Sequence, residues 1–145
     1  MIDNYPSGSN AVLQMDIEGA EYDSILSTPQ EILNKFKVIV IEIHKLNFMT
    51  SQEGFILGSL FFDHLLKSFH VRHLHTNNYI RPFVFGSFKF PSDIELVLIR
   101  KDICKINPVQ SVRQLPHHLD RPSNPKKKDL EYYDGFKNGV VKRLI

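Results

Sequence analysis

The fold is decided by one stretch near the start of the chain, residues 12–26, which reads VLQMDIEGAEYDSIL. A short apolar run stops at Asp16 and Glu18, Gly19 supplies a flexible corner, and apolar residues then recur at helical spacing. The pattern predicts a strand, an acidic corner and a helix. Because ligands of open α/β sheets bind outside the carboxyl ends of the strands, the corner is a candidate site. The alternative is that Asp16 and Glu18 only cap and charge the following helix.

Length and composition are typical of a single folded domain. The chain has 145 residues, of which 42% are hydrophobic and 23% charged, and its formal net charge is +2. Because no aromatic platform accompanies the late lysine run, we do not expect nucleic-acid binding. No apolar run reaches the roughly 20 residues of a membrane span, and no leader is recognisable, so we expect a cytoplasmic protein without membrane association. The single Cys104 excludes an internal disulfide.

Hydrophobic periodicity predicts the order β-α-β-α-β-β, with a short extra helix that starts near Pro29. The run FKVIVIEI at 36–43 is typical of a strand that is covered on both faces. Residues 51–69 predict a helix whose broad apolar stripe includes Ile56, Leu57 and Leu60. Strands separated by a helix are predicted to be parallel, and the last two to be antiparallel. The predicted strands are 11–15, 36–43, 70–78 and 94–99.

The third predicted strand and the end of the chain complete this organisation. Strict alternation places Val71, His73 and His75 on one face of the third strand. We divide the chain into an α/β domain, residues 1–106, and a Pro- and Lys-rich extended tail, residues 107–145. In the tail we expect one short helix near 130–136 and solvated side chains for His117 and His118.

Four motifs follow one another along the chain: MDIEGAEYDSIL at 15–26, IVIEIHKL at 39–46, HLHTNNY at 73–79 and FPSDIELVLIRKD at 90–102. Together they resemble the C-terminal half of FkbM-type methyltransferases. The resemblance covers residues 11–125 and implies an incomplete Rossmann-like domain of the seven-stranded methyltransferase type, with strands four to seven and the last one antiparallel. It also implies S-adenosylmethionine as cofactor and a hydroxyl of a saccharide or other small molecule as acceptor.

The same resemblance identifies what this chain lacks. The family's glycine-rich turn, which holds the cofactor, and its first three strands have no counterpart before Val12. A lone half-sheet would expose the edge at which the missing strand pairs, and three explanations stay open. The chain is a truncated enzyme that does not bind the cofactor alone, which we favour; or a second copy or a complementary chain pairs with the edge; or the tail of this chain covers it.

Polar residues stand at the ends of the first three strands, where a parallel sheet would bring them to one ligand face. The resemblance implies that Asp16 lies near the methyl group and the acceptor hydroxyl, and a histidine is the preferred general base because its pKa lies near neutral pH. The candidates are catalytic Asp16, His44 and His75, cofactor-binding Asp16 and Glu18, and substrate-binding Glu42, Asn77 and Asn78.

Two alternatives stay open beside this assignment. Asp, Glu and His at adjacent strand ends can hold a divalent cation, but their spacing matches no compact metal motif, so we assign no metal site. The chain can also be a non-catalytic fragment or a binding module for a polyhydroxylated ligand or a partner chain. For His73 a packed strand position is favoured, and for Glu95 a backbone group or a basic partner such as Arg81.

Overall fold

A mixed four-stranded sheet lies at the centre of the fold in the computed structural model, which describes residues 11–86, 88–104 and 117–128. Its strands are β1 (Ala11–Met15), β2 (Phe36–Ile43), β3 (Phe69–Thr76) and β6 (Ile94–Arg100), and a separate hairpin consists of β4 (Phe83–Phe85) and β5 (Phe88–Phe90). The helices are α1 (Glu21–Ser27), α2 (Gln30–Leu33) and α3 (Gln52–Leu66), with a 3₁₀ helix at Leu46–Thr50. None of these helices is both long and apolar enough to cross a membrane.

The sheet has the strand order β1-β2-β6-β3. β1 pairs with β2 in parallel, and β6 is antiparallel to both β2 and β3. The predicted α/β class, the parallel first pair and the antiparallel last strand are thereby confirmed. The hairpin of β4 and β5 is not predicted from the sequence, because strands of three residues are too short to show a period.

The core lies on one face of the sheet. Ile39, Ile41 and Ile43 of β2 are buried, whereas Val38 and Val40, which alternate with them, are only partly buried. The helices contribute to the same core through Ile25 of α1, Leu33 of α2, and Phe61 and Leu65 of α3. The face of β2 that carries Ile39, Ile41 and Ile43 is thus fully covered, as predicted, whereas the described residues cover the other face only partly.

A β-bulge changes the predicted faces of β3. The pairing register with β6 shifts between Val71 and His73, so Arg72 is the extra residue. Val71 pairs with Leu98 and packs against the core, whereas His73 and His75 pair with Val97 and Glu95 on the opposite face. The prediction that Val71 shares a face with the two histidines is wrong, because strict alternation does not hold across a bulge.

Glycines form the buried side of α3, together with Phe61 and Leu65. The 3₁₀ helix packs against them so closely that a Cβ on Gly54 would collide with the Phe48 carbonyl oxygen, and one on Gly58 would lie 2.6 Å from Met49 Cε. The glycine side therefore faces inward. Of the predicted apolar stripe, Phe61 and Leu65 are buried as expected, whereas Ile56, Leu57 and Leu60 are exposed. The helix also ends at Leu66, since Phe69 begins β3.

Residues 117–128 fold back onto the sheet face that carries the β3 histidines. His73 Nε2 lies 2.9 Å from Asp120 Oδ1, and the ring of His117 packs edge-on against that of His73. His117 is therefore partly buried rather than solvated, whereas His118 is exposed as predicted. The predicted boundary at residue 106 and the predicted helix at 130–136 lie outside the described residues.

Asn78 fixes this returning segment. Its side chain is almost fully buried, its Nδ2 donates to the carbonyl oxygens of Asn124 and Lys127 at 3.1 and 3.3 Å, and its Oδ1 accepts from the Asn124 amide at 2.6 Å. The side chain of Asn78 thus supplies hydrogen-bond partners for main-chain groups of Asn124 and Lys127, which attaches the returning segment to the end of β3.

Replacing Gly54 by alanine should destabilise the protein more than replacing Gly58. The new methyl group at Gly54 meets backbone, which must shift at a cost of about 1–3 kcal/mol, whereas at Gly58 the flexible Met49 side chain gives way. Urea unfolding of Gly54→Ala, Gly58→Ala and the wild type measures the difference. Equal stability of the two variants would contradict the close contact with Phe48.

Replacing Asn78 by alanine should release residues 117–128 from the sheet. The variant loses the side-chain bonds to Asn124 and Lys127, so the lysines of this segment become accessible to trypsin. Limited proteolysis should show faster cleavage after Lys126 or Lys127 than in the wild type. Asn47→Ala, at an exposed asparagine, is the matched control, and equal rates in both variants would refute the role of Asn78.

Candidate functional site

Carboxylates from two parallel strand ends converge on one imidazole. Asp16 directly follows β1, Glu42 is the last residue but one of β2, and His44 directly follows β2. His44 Nε2 lies 3.7 Å from each of three carboxylate oxygens, namely Asp16 Oδ1, Glu18 Oε2 and Glu42 Oε1. We call Asp16, Glu18, Glu42 and His44 the strand-end cluster.

Glu21, the first residue of α1, connects the acidic corner to His44. It is fully buried (0% exposed), and its Oε1 accepts hydrogen bonds from the Ile17 and Gly19 amides at 3.2 and 3.1 Å and lies 2.9 Å from His44 Nδ1. The corner reaches this carboxylate because Glu18 and Gly19 both have positive φ, 58° and 108°. Glycine adopts this conformation without strain, whereas Glu18 must be held in it by its surroundings.

The protonation of His44 follows from this contact. Burial opposes the charge of Glu21, but hydrogen bonds from the Gly19 amide and His44 outweigh it and lower the pKa of Glu21. An ionised carboxylate only accepts hydrogen bonds, so Nδ1 of His44 carries the proton and Nε2 faces the strand-end cluster. Burial alone would lower the pKa of His44, yet Glu21 and Glu42 raise it.

The main chain around His44 is held from two sides. Tyr22 donates its hydroxyl hydrogen to the His44 carbonyl oxygen at 2.9 Å, and the Lys45 amide donates to Asp93 Oδ1 at 2.8 Å. Lys45 has a φ of 59°, and the only non-glycine residues with positive φ in the described chain are Lys45 and Glu18. Glu18 belongs to the strand-end cluster and Lys45 directly follows His44, and strained backbone is commonly retained for function at such sites.

Glu42 is positioned by a residue beyond the end of β3. Asn77 Nδ2 donates to Glu42 Oε1 at 2.6 Å, and Asn77 Oδ1 accepts from the Tyr79 amide at 2.7 Å. Burial raises the pKa of Glu42, and the hydrogen bond from Asn77 and the charge of His44 only partly oppose this rise. Asn77 therefore reaches the cluster through Glu42, as a positioning residue.

The structure separates two of the predicted site residues from the cluster. His75 is buried on β3, where its Nδ1 lies 3.6 Å from Glu95 Oε2, and Glu95 also accepts from the Ser123 hydroxyl at 3.3 Å. The partner predicted for Glu95, Arg81, is thus replaced by His75 and Ser123. Asn78 lies apart from the cluster as well, because its side-chain amide is bonded to main-chain groups of Asn124, Lys127 and Lys128.

Glu21 is the residue for which sequence reasoning assigns no role in the site. The feature that could have indicated a role is its position. Glu21 is the first residue of a helix and lies two residues after Gly19, where a carboxylate can accept hydrogen bonds from main-chain N–H groups. The contact with His44 spans 23 residues of sequence, so no local pattern shows it.

A shallow depression of about 400 Å³ lies at the end of the sheet opposite to the strand-end cluster, lined by Asn34, Lys67, Ser68, Arg100, Lys101 and Asp102. The candidate chemistry and this depression therefore lie at different ends of the strands.

Comparison of the chain with protein-family models, with curated proteins and with solved structures finds no match.

Replacing Glu21 by glutamine should lower the free energy of unfolding by about 1.5–3 kcal/mol, the range for hydrogen bonds to charged groups. Folding lowers the pKa of Glu21, so the ionised carboxylate stabilises the fold above its unfolded pKa near 4.5. Folding raises the pKa of His44, so the protonated imidazole stabilises the fold below its unfolded pKa near 6.5. The difference from the wild type should thus be largest between pH 4.5 and 6.5 and shrink outside that window.

Urea unfolding at a series of pH values measures this profile, with the exposed Glu31→Gln on α2 as the matched control. A loss that does not change with pH would show that Glu21 acts by packing alone.

Proposed function

We propose that this chain is the acceptor-side half of an S-adenosylmethionine-dependent O-methyltransferase that resembles the FkbM family and acts on a hydroxyl of a saccharide or similar small molecule. The observation that carries the proposal is the imidazole of His44, oriented by buried Glu21 and set between carboxylates at the carboxyl ends of two parallel strands. Open α/β sheets bind ligands at this edge.

The placement of the four motifs supports the proposal. The acidic corner follows β1, the second motif runs through β2 to His44, the third ends β3, and the fourth contains β6. β6 runs antiparallel to its neighbours, which is the direction that the resemblance implies for the last strand. β1 lies at the edge of the described sheet, beside which the resemblance implies a further strand.

The geometry assigns His44 the role of general base. With Nδ1–H donated to Glu21, the neutral ring has its lone pair on Nε2, which accepts the proton of a hydroxyl placed against the cluster. Asp16 and Glu42 then stabilise the imidazolium ion that forms, and their oxygens accept hydrogen bonds from neighbouring hydroxyls of the acceptor. Proton transfer of this kind contributes about 10²–10⁴-fold to rate.

The described residues do not fit the cofactor. The predicted cofactor ligands Asp16 and Glu18 face His44, and the corner between them and α1 is closed by the bonds of its own amides to Glu21. These residues form no turn of free amides that would cradle a ligand. In this proposal the half that binds S-adenosylmethionine comes from outside the described residues, and this chain contributes the activation of the acceptor.

Titration of the chain with saccharides, followed by NMR of the His44 imidazole and the corner amides, tests the acceptor role without a cofactor. We expect saccharides to shift the His44 signals in the wild type, and much less in Glu42→Gln, which removes a carboxylate of the cluster but keeps an acceptor for Asn77. Glu31→Gln, at an exposed position on α2, is the matched control.

Two outcomes would contradict the proposal. If no saccharide perturbs the cluster at high millimolar concentration, the acceptor role is refuted. If S-adenosylmethionine alone binds this chain at submillimolar concentration, the assignment of only the acceptor half is wrong.

A further inference from the structure

Three side chains of the strand-end cluster have the geometry of metal ligands. Asp16, Glu42 and His44 each offer one donor atom, and these atoms all lie within 4.8 Å of one another. Donors that share one ion at about 2.0–2.2 Å stand roughly 3–3.5 Å apart. The distances of 3.7 Å from His44 Nε2 to Asp16 Oδ1 and Glu42 Oε1 are close to that separation. Asp16 can supply the remaining movement, since its side chain is 55% exposed.

The imidazole of His44 separates this group from an ordinary acidic surface. Its side chain is only 10% exposed, and its Nδ1 is occupied by Glu21 at 2.9 Å. Nε2 therefore points at the cluster, where the three carboxylate oxygens at 3.7 Å lie beyond hydrogen-bond length. Metal-ligating histidines almost always donate their other N–H to a carboxylate or carbonyl, and Glu21 is placed to accept it.

The balance of charge also favours a cation. With Nδ1–H donated to Glu21 and a lone pair on Nε2, His44 is neutral, and Asp16, Glu18 and Glu42 place negative charge around Nε2. Glu18 is mostly exposed, which leaves a side of the cluster open to solvent. An ion bound there would keep positions for water or for an acceptor hydroxyl, as catalytic metal sites do.

We propose that Asp16, Glu42 and Nε2 of His44 bind a divalent first-row transition-metal ion, with Glu21 holding the imidazole from the second side. One imidazole nitrogen and two carboxylate oxygens suit Zn²⁺ or Mn²⁺, whereas sites for Mg²⁺ and Ca²⁺ are built from oxygen alone. By the general order of affinities, Zn²⁺ binds more tightly than Mn²⁺.

This inference shares the cluster with the proposed function but does not depend on methyl transfer. A proton and a metal ion compete for the same lone pair of Nε2, so the base and the ligand are two alternative states of His44. A metal ion held by Asp16, Glu42 and His44 would itself activate a hydroxyl, because an ion lowers the pKa of an oxygen bound to it.

Calorimetric titration of the full chain with ZnCl₂ in buffer without chelator tests the site. We expect one ion per chain, weaker binding of MnCl₂, and little heat from MgCl₂. Glu21→Gln should weaken Zn²⁺ binding by about 10–100-fold, the usual effect of removing an outer-shell partner. Asp16→Asn and Glu42→Gln, which remove ligands, should weaken it at least as much.

Two controls keep the experiment decisive. Glu31→Gln removes an exposed carboxylate elsewhere and His118→Gln an exposed imidazole, and both should bind Zn²⁺ like the wild type. Because Asp16 is exposed, Asp16→Asn should fold normally, and Zn²⁺ should raise the Tm of the wild type but not of this variant.

Absence of Zn²⁺ binding to the wild type, or equal affinity in Asp16→Asn, Glu42→Gln and the controls, would overturn the proposal. The saccharide titration is carried out in the presence of EDTA. A failure of metal binding therefore leaves the acceptor result untouched, and the converse also holds.

Discussion

The structure around the strand ends depends on the burial of one carboxylate. Glu21 is inaccessible to solvent, and its Oε1 collects the amides of Ile17 and Gly19 together with Nδ1 of His44. A buried charge is tolerated only when it is paired, so the corner after β1 and the end of β2 must meet at this point. The same contact fixes the tautomer of His44 and aims Nε2 at Asp16 and Glu42.

Two histidine–carboxylate pairs lie along one row of the sheet. The register places Glu42 opposite Glu95, and Glu95 opposite His75, across β2, β6 and β3. Both imidazoles are buried, and each has a carboxylate beside it that is partly exposed, Asp16 beside His44 and Glu95 beside His75. The pair at His75 is bonded to the returning segment, because Ser123 donates its hydroxyl hydrogen to Glu95. The pair at His44 is held instead by Glu21 at the start of α1.

The proposed base and the proposed metal site depend on the same feature, the lone pair on Nε2 of His44. This lone pair points towards the carboxylates of Asp16 and Glu42 and is not engaged in a hydrogen bond with them. Glu21 stabilises positive charge on His44 whether a proton or a metal ion brings it. Asn77 restrains Glu42 in both cases. Backbone strain marks the same place, since Glu18 within the cluster and Lys45 next to His44 both have positive φ.

The sequence by itself determined the alternation of strands and helices, the parallel first pair, and Asp16, Glu42 and His44 as strand-end groups, because these follow from local periodicity. The bulge at Arg72, the inward turn of the glycine side of α3, and the tail contacts of Asn78 were decided by tertiary packing, which no local pattern encodes. Tertiary packing also brings Asp16, Glu42 and His44 close enough to one another to bind a metal ion together. Spacing along the chain argued against a metal, but the ligands come from two parallel strands that hydrogen bonding sets side by side.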